Sequence, residues 1–269
     1  METTGTGNKM KVYTKKSLID ELKKIREMGW IKNARPGNQG GVGNTLEDLL
    51  EIEENNLPLP NAGEWELKSN RKNSSSLTTI FHMEPSPRAL RFVPQIFLPL
   101  YGWAHQEASA KYPENEMSFR QTIPGKKGTD RGFRVLVNRK EKKVEISFDS
   151  GKVDERHSIW LKSVEERVGL GELDPRPYWG FDDLFHKAGT KLLNCFYLEA
   201  DVKRESGAEF YKYEKILMLQ QLDLEKFITA IEDGIILIDF DARTGHNHGT
   251  KFRMRRKDLP DLYGKVTEL

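Results

Sequence analysis

The chain has little of what marks the commonest chemistries. Its one cysteine, Cys195, rules out an intrachain disulfide and a cysteine-built zinc site. Cys195 falls in the apolar run 192–200, where a buried thiol is a better reading than a nucleophile. No run of about 18 apolar residues occurs, so no membrane-spanning helix is expected. The first ten residues are polar and lack the apolar stretch of a secretion signal. These absences lead to the expectation of a soluble, cytoplasmic protein. An excess of one charge is missing too: 43 basic residues against 41 acidic ones leave +2, so bulk charge announces no nucleic-acid binder. There is no repeat and no low-complexity tract.

What is present is a short motif, Gly63-Glu64-Trp65-Glu66-Leu67-Lys68-Ser69. It alternates like a strand, and residues two apart on a strand share a face. Glu66 and Lys68 would then line one wall of a pocket while Trp65 and Leu67 face the core. A carboxylate can hold a divalent cation, and an ammonium can stabilise charge on an attacking water or a phosphate. That pairing suits phosphodiester hydrolysis. Glu-x-Lys alone is commonly a solvated edge or an ion pair, so the surroundings decide.

Upstream, a glycine-rich turn at 37–43 leads into an apolar helix expected from Thr45 to Glu54, with Asn44 or Thr45 as its cap. Before it, Leu18, Ile19, Leu22, Ile25 and Met28 have helical spacing. Downstream, a polar basic loop containing Arg71 precedes a second strand at 77–83. Prolines and aromatics from Pro85 to Trp103 suggest an irregular lobe. Paired strands are expected at 133–138 and 143–149, a helix from Trp179 to about Leu193, a buried strand at 195–200, a helix at 224–232 and a strand at 235–240. Basic clusters at 126–127, 131–134, 139–143 and 251–257 read as solvated faces that support nucleic-acid binding without deciding it.

In order and spacing, several segments resemble the MvaI/BcnI type II restriction endonucleases: 43–50, Glu53-Glu54-Asn55-Asn56, Glu66-Leu67-Lys68, the Phe181-Asp182 helix start and 245–253. The mismatch-repair nickase MutH is similar at greater distance. The resemblance implies an α/β fold with a PD-(D/E)XK nuclease core of the MutH kind and a second, DNA-recognition lobe. It implies a monomer that grips double-stranded DNA between the lobes and hydrolyses it with Mg²⁺. The catalytic lobe would span 1–90 and 176–234, and the recognition lobe 91–175 and 235–269. A companion methyltransferase acting on the same short, pseudopalindromic site is a further implication.

On this chain the resemblance makes Glu66 a metal carboxylate, the Leu67 carbonyl a further ligand, and Lys68 the lysine beside the attacking water. Glu47 is the helix acid that supports the site. Arg71, His82, His246, Asn247, His248, Thr250, Lys251 and Arg253 are the expected DNA contacts. Three of these lie in Gly245-His246-Asn247-His248-Gly249, whose glycines permit close backbone approach, although a surface hairpin turn fits the same letters. One departure stands out. Where the family places an aspartate before the Glu-x-Lys strand, this chain has Asn61, which brings no charge to a hard cation. Three readings stay open: Glu64 takes over, Asn61 inactivates the metal site, or the correspondence is out of register. The rivals are therefore a strand-specific nickase and a DNA-binding protein with an impaired site.

Overall fold

The computed structural model describes residues 13–37, 41–52, 64–72 and 74–269. In chain order the first elements are α1 (Lys15–Glu27), β1 (Ile31–Lys32), α2 (Gly41–Leu49), β2 (Glu66–Arg71) and β3 (Leu77–His82). There follow α3 (Leu98–Tyr101), β4 (Trp103–Ala104), β5 (Met117–Ile123), β6 (Arg131–Asn138), β7 (Lys143–Val153), α4 (Ser158–Val168) and β8 (Tyr178–Gly180). The last third comprises α5 (Phe181–Leu192), β9 (Cys195–Glu205), β10 (Ala208–Leu222), α6 (Leu224–Glu232), β11 (Leu237–Arg243), β12 (His246–Asn247), β13 (Lys251–Arg255) and β14 (Tyr263–Glu268). No described helix is long and apolar enough to cross a membrane.

The chain divides into two compact units, one of Met1–Ser75, Gly189–Leu222 and Tyr263–Leu269, the other of Ser76–Ala188 and Asp223–Leu262. The expected boundaries at 90, 175 and 234 thus compare with 75, 188 and 222. The first moves because β3 pairs with β13 of the second unit, as Phe252↔Phe81 and Lys251↔His82. The last residues return to the first unit because β14 pairs with β10.

The first unit is a mixed sheet in the order β1-β10-β9-β2, with β14 also on β10. β2 runs parallel to β9, and the other pairings are antiparallel. Cys195, Phe196, Tyr197 and Leu198 have no exposed surface, as befits a strand covered on both faces. Leu18, Leu22 and Ile25 of α1 and Val42 and Leu46 of α2 join Trp65, Leu67, Phe196 and Leu198 in one core. Each such side chain contributes about 1.5–3 kcal/mol of burial. α2 starts at Gly41, earlier than expected, so Asn44 and Thr45 lie inside it rather than capping it. The glycine-rich segment supplies the helix's first turn, and buried Thr45 accepts from the Ala34 amide at 3.4 Å.

The second unit holds a six-stranded sheet, β3-β13-β11-β5-β4 with β12 on β11, and a three-stranded sheet, β6-β7-β8. Its core is aromatic: Phe97 stacks on Phe119 at 4.8 Å and meets Phe240 edge-on at 5.1 Å. The proline-rich stretch contributes a π-helical turn, Val93–Phe97, that delivers Phe97 to this core.

Candidate active site

β2 performs the alternation its letters suggest. Trp65 and Leu67 enter the core, Trp65 against Phe196 at 4.6 Å between ring centroids. Glu66 and Lys68 turn to the other face, where Lys68 Nζ lies 2.5 Å from Glu66 Oε1. The Glu66 residue is 3% exposed, so Lys68 rather than solvent is its ionic partner. Its second oxygen, Oε2, is buried and has no hydrogen-bond partner among the described residues.

The backbone offers a second oxygen. The Glu66 and Lys72 amides both donate to β9, to the carbonyls of Asn194 and Ala200. In a parallel pair the backbone groups of alternate residues point to alternate edges. Even-numbered residues of β2 therefore face β9, and the Leu67 carbonyl faces the opposite edge, where no strand pairs among the described residues. Behind the site, buried Tyr263 donates its hydroxyl to the Leu192 carbonyl at 2.6 Å. Burial, aided by Cys195 and Glu66, pushes that phenol far above its ordinary pKa, so it stays neutral.

An orphaned carboxylate oxygen and, one residue on, a carbonyl on the open sheet edge are the oxygen donors that a hard divalent cation takes. Among the described residues no group of three or more His, Cys, Asp and Glu could hold a metal by itself. Mg²⁺ does not require one, since one or two carboxylates plus waters and substrate phosphate complete its shell. Glu64 is exposed, in the turn before β2. Asn61 lies outside the described residues, as do Glu53, Glu54, Asn55 and Asn56.

α2 is seated closely on this sheet. A Cβ on Gly43 would lie 3.6 Å from Ser69 Oγ, and one on Gly41 only 2.2 Å from the Tyr211 hydroxyl. Tyr213 donates to the Val42 carbonyl at 2.6 Å. Its pKa is raised strongly by burial and then by Tyr211, Asp48 and Glu47, the last of which is half-buried on α2. Arg71 closes β2 with an ion pair to Glu209 at 3.0 Å, and the Tyr211 hydroxyl meets the same carboxylate at 2.5 Å. Burial and Glu209 push the Tyr211 pKa up to about 12.

The remaining expected DNA contacts gather in the second unit. β11 and β12 form a hairpin in which Arg243 faces His246, turning at Thr244 and Gly245 (φ 70°). The His246 and His248 rings meet edge-on at 4.3 Å, and the Asn247 side chain accepts from the Gly249 amide at 3.0 Å. His246, Asn247 and His248 are exposed. A Cβ on Gly249 would lie 3.5 Å from His82 and from Glu84, so His82 borders this hairpin. Burial, then Lys251 and Lys187, lowers the His82 pKa, while Glu84 opposes them.

Like Arg71, three of these second-unit contacts are engaged within the protein. Thr250 is fully buried, and Glu84 accepts from its amide at 2.8 Å and its hydroxyl at 3.1 Å. Lys251 lies 3.3 Å from Asp241, and Arg253 3.4 Å from Asp239. Burial would raise the Asp241 pKa, but Lys251, Arg120 and His248 together bring it below the ordinary value. The basic cluster at 139–143 is likewise engaged: Arg139 pairs with Glu225 and Glu232, each at 2.9 Å, and Lys143 with Glu141 at 2.9 Å.

Sequence reasoning passed over Arg88, Arg91 and Arg243. With His246 and Asn247 they line a groove of about 790 Å³ in the second unit. The three-residue spacing of Arg88 and Arg91 was the available signal, since it brings both to one side of a single turn.

The sequence model of the MvaI/BcnI restriction endonuclease family matches residues 19–263. Among solved structures, the chain is similar to the restriction endonuclease MvaI in complex with cognate DNA substrate. The TM-score is 0.70 at 25% identity, over 93% of this chain and 96% of that one. It is also similar to MvaI in the absence of DNA, with TM-score 0.56 and 24% identity over 96% of this chain and 99% of that one. No curated protein matches.

Proposed function

From the premise that the chain belongs to the MvaI/BcnI restriction endonuclease family and is a type II site-specific deoxyribonuclease, we propose a Mg²⁺-dependent monomer that cuts both strands of duplex DNA at one short site. Its nuclease core would be of the PD-(D/E)XK kind, built on β2 and α2 of the first unit, and its base-reading lobe would be the second unit.

The observation that carries this reading is the division of the Glu66 carboxylate, one oxygen on Lys68 and the other without a partner. Glu66 Oε2 and the Leu67 carbonyl would hold the cation, with Glu64 or Asn61 as a further oxygen donor. Bound there, the metal would supply a hydroxide-like nucleophile at neutral pH and offset charge on the phosphoryl oxygens. Lys68, held by Glu66, orients the attacking water and stabilises the added charge in the transition state. Glu47 supports α2 against this sheet. His246, Asn247 and His248 offer donors and acceptors to base edges from an exposed turn, with His82 beside them.

Digestion of unmethylated plasmid DNA with Mg²⁺, followed by sequencing of the ends, tests the reading. Discrete fragments ending at one short sequence are expected. Ends at random positions, or intact plasmid, would overturn it; nicked circles alone would transfer the case to a strand-specific nickase.

A further inference from the structure

A cavity of about 680 Å³ lies in the second unit, with Trp103, Glu107, Gln121, Asp130, Arg131 and His157 in its wall. It follows the edge of β5 that β4 leaves open: β4 pairs only with Met117 and Ser118. Two donors in this wall have neither a hydrogen bond nor an ion pair among the described residues. Gln121 is 7% exposed, and its Nε2 is buried without a hydrogen-bond partner among the described residues. The Arg131 Nη1 is in the same condition.

Arg131 is held by rings rather than by acceptors. Its guanidinium carbon lies 4.2 Å from the Trp103 ring centre and 5.0 Å from that of Trp160. Such cation–π contacts fix the group without satisfying its N–H donors. Burial lowers its pKa while Asp130 acts in the other direction, and a guanidinium stays charged in either case. The Asp130 carboxylate already serves Arg156 and, at 3.0 Å, His157. Buried donors without acceptors are costly, more so when charged. Asp130, shared with Arg156 and His157, compensates the Arg131 charge without making an ion pair to it, whereas an oxyanion supplies charge and several acceptor oxygens at once.

We infer that this cavity is a binding site for a phosphate-type oxyanion, held by Arg131 and Gln121. The phosphate is either a backbone phosphate of bound duplex or free inorganic phosphate. Only the duplex source rests on the proposed nuclease function. The site also adjoins the hairpin through one chain of contacts. Arg120, in the cavity wall, pairs with Asp241 at 2.9 Å, and the Asp241 carbonyl accepts from the His248 amide at 3.0 Å. A phosphate drawn to this wall is thereby tied to the strand that carries the exposed histidines.

The test uses the full chain in two arms. Tryptophan emission is titrated with inorganic phosphate at constant ionic strength, because Trp103 and Trp160 flank the site. Binding of a 40-base-pair duplex of arbitrary sequence is measured in Ca²⁺ across a salt series. Gln121→Leu and Arg131→Met are compared with wild type, with melting curves as the folding control; Gln121→Leu leaves the ring-held cation in place. A saturable phosphate response in wild type, weakened about ten-fold or more in both variants, supports the site. A fall of about one in the slope of log K against log salt in Arg131→Met, with the slope of Gln121→Leu unchanged and its affinity lowered, assigns it to a duplex phosphate. A phosphate response with an unchanged slope supports the site with free phosphate as its source. No saturable phosphate response in wild type together with an unchanged slope in Arg131→Met, or a response that neither variant weakens, overturns it. A wild-type chain that neither binds nor cuts DNA would sink the nuclease reading and leave the phosphate arm standing.

Discussion

Glu66 and Lys68 face each other from the same side of β2, with Nζ 2.5 Å from Oε1, while the carboxylate's other oxygen finds no partner among the described residues. The lysine thus fixes the rotamer of the acid and leaves one lone-pair set aimed away from itself. Two adjacent alternations of one strand accomplish this without any loop. The same strand anchors itself through Trp65 and Leu67, so packing and chemistry share one set of dihedral angles.

Lys68→Met should lower the rate of cleavage by about 10²–10³-fold. It should also destabilise the fold, because it strands a buried carboxylate. Roughly 3 kcal/mol is expected, the low end for a broken buried pair, since the Lys68 side chain keeps 18% exposure. The double variant Glu66→Gln/Lys68→Met should recover most of that stability while remaining inactive. Urea unfolding of the three proteins checks the order; equal midpoints for the single and double variants would count against the pair.

Asn61→Asp should lower the Mg²⁺ concentration needed for half-maximal cleavage, because a carboxylate adds the charge that an amide lacks. Combining it with Glu64→Ala separates the two candidate donors. If Glu64 is a surface acid, its removal leaves the Mg²⁺ titration unmoved in both backgrounds.

His82 titrates below its ordinary value of 6.5 because of burial, then Lys251 and Lys187. Between that lowered pKa and 6.5 the unfolded chain binds a proton that the folded chain refuses. The contribution of His82 to stability is therefore present at neutral pH and lost as pH falls through that window. At pH 7 the imidazole is neutral, able to donate from one nitrogen and accept at the other. Lys251→Met should move the midpoint upward, as followed by NMR of the ring protons. A downward move would refute the assignment of Lys251 as a cause.

Glu84→Ala should loosen the hairpin by removing the acceptor for both polar groups of Thr250. A loss of about 1.5–3 kcal/mol is expected for hydrogen bonds to a charged group. The readout is discrimination between cognate and one-base-altered duplexes, which should fall while the Mg²⁺ requirement is unchanged. Unaltered discrimination would show that the hairpin keeps its shape without Glu84.

Much of the first unit was legible because its signals are local. The Glu-x-Lys alternation, the α1 stripe of Leu18, Leu22 and Ile25, and the apolar run opening at Cys195 each fix an element within a few residues. The start of α2 was misplaced because glycine has poor helix propensity, and the packing that favours Gly41 comes from Tyr211, far along the chain. β10 gave little signal, since its first half sets Lys212, Glu214 and Lys215 among tyrosines, Tyr211 and Tyr213, that are fully buried. The partnership of β3 with β13 joins residues about 170 apart, a distance at which periodicity is silent. The acidic partners of Lys251 and Arg253 were hidden for a related reason: Asp239 and Asp241 sit on a strand whose register no local pattern states.

β14 has a consequence for how the protein comes into being. The strand that completes the first unit's sheet is translated after the second unit's described strands, and its Leu219↔Val266 and Leu222↔Tyr263 pairings must wait for it. Tyr263, the phenol behind Glu66, arrives in the same final segment. A growing polypeptide on the ribosome therefore holds Glu66 and Lys68 long before it holds Tyr263 and β14, so the sheet around this pair closes only when a segment far along the chain has emerged.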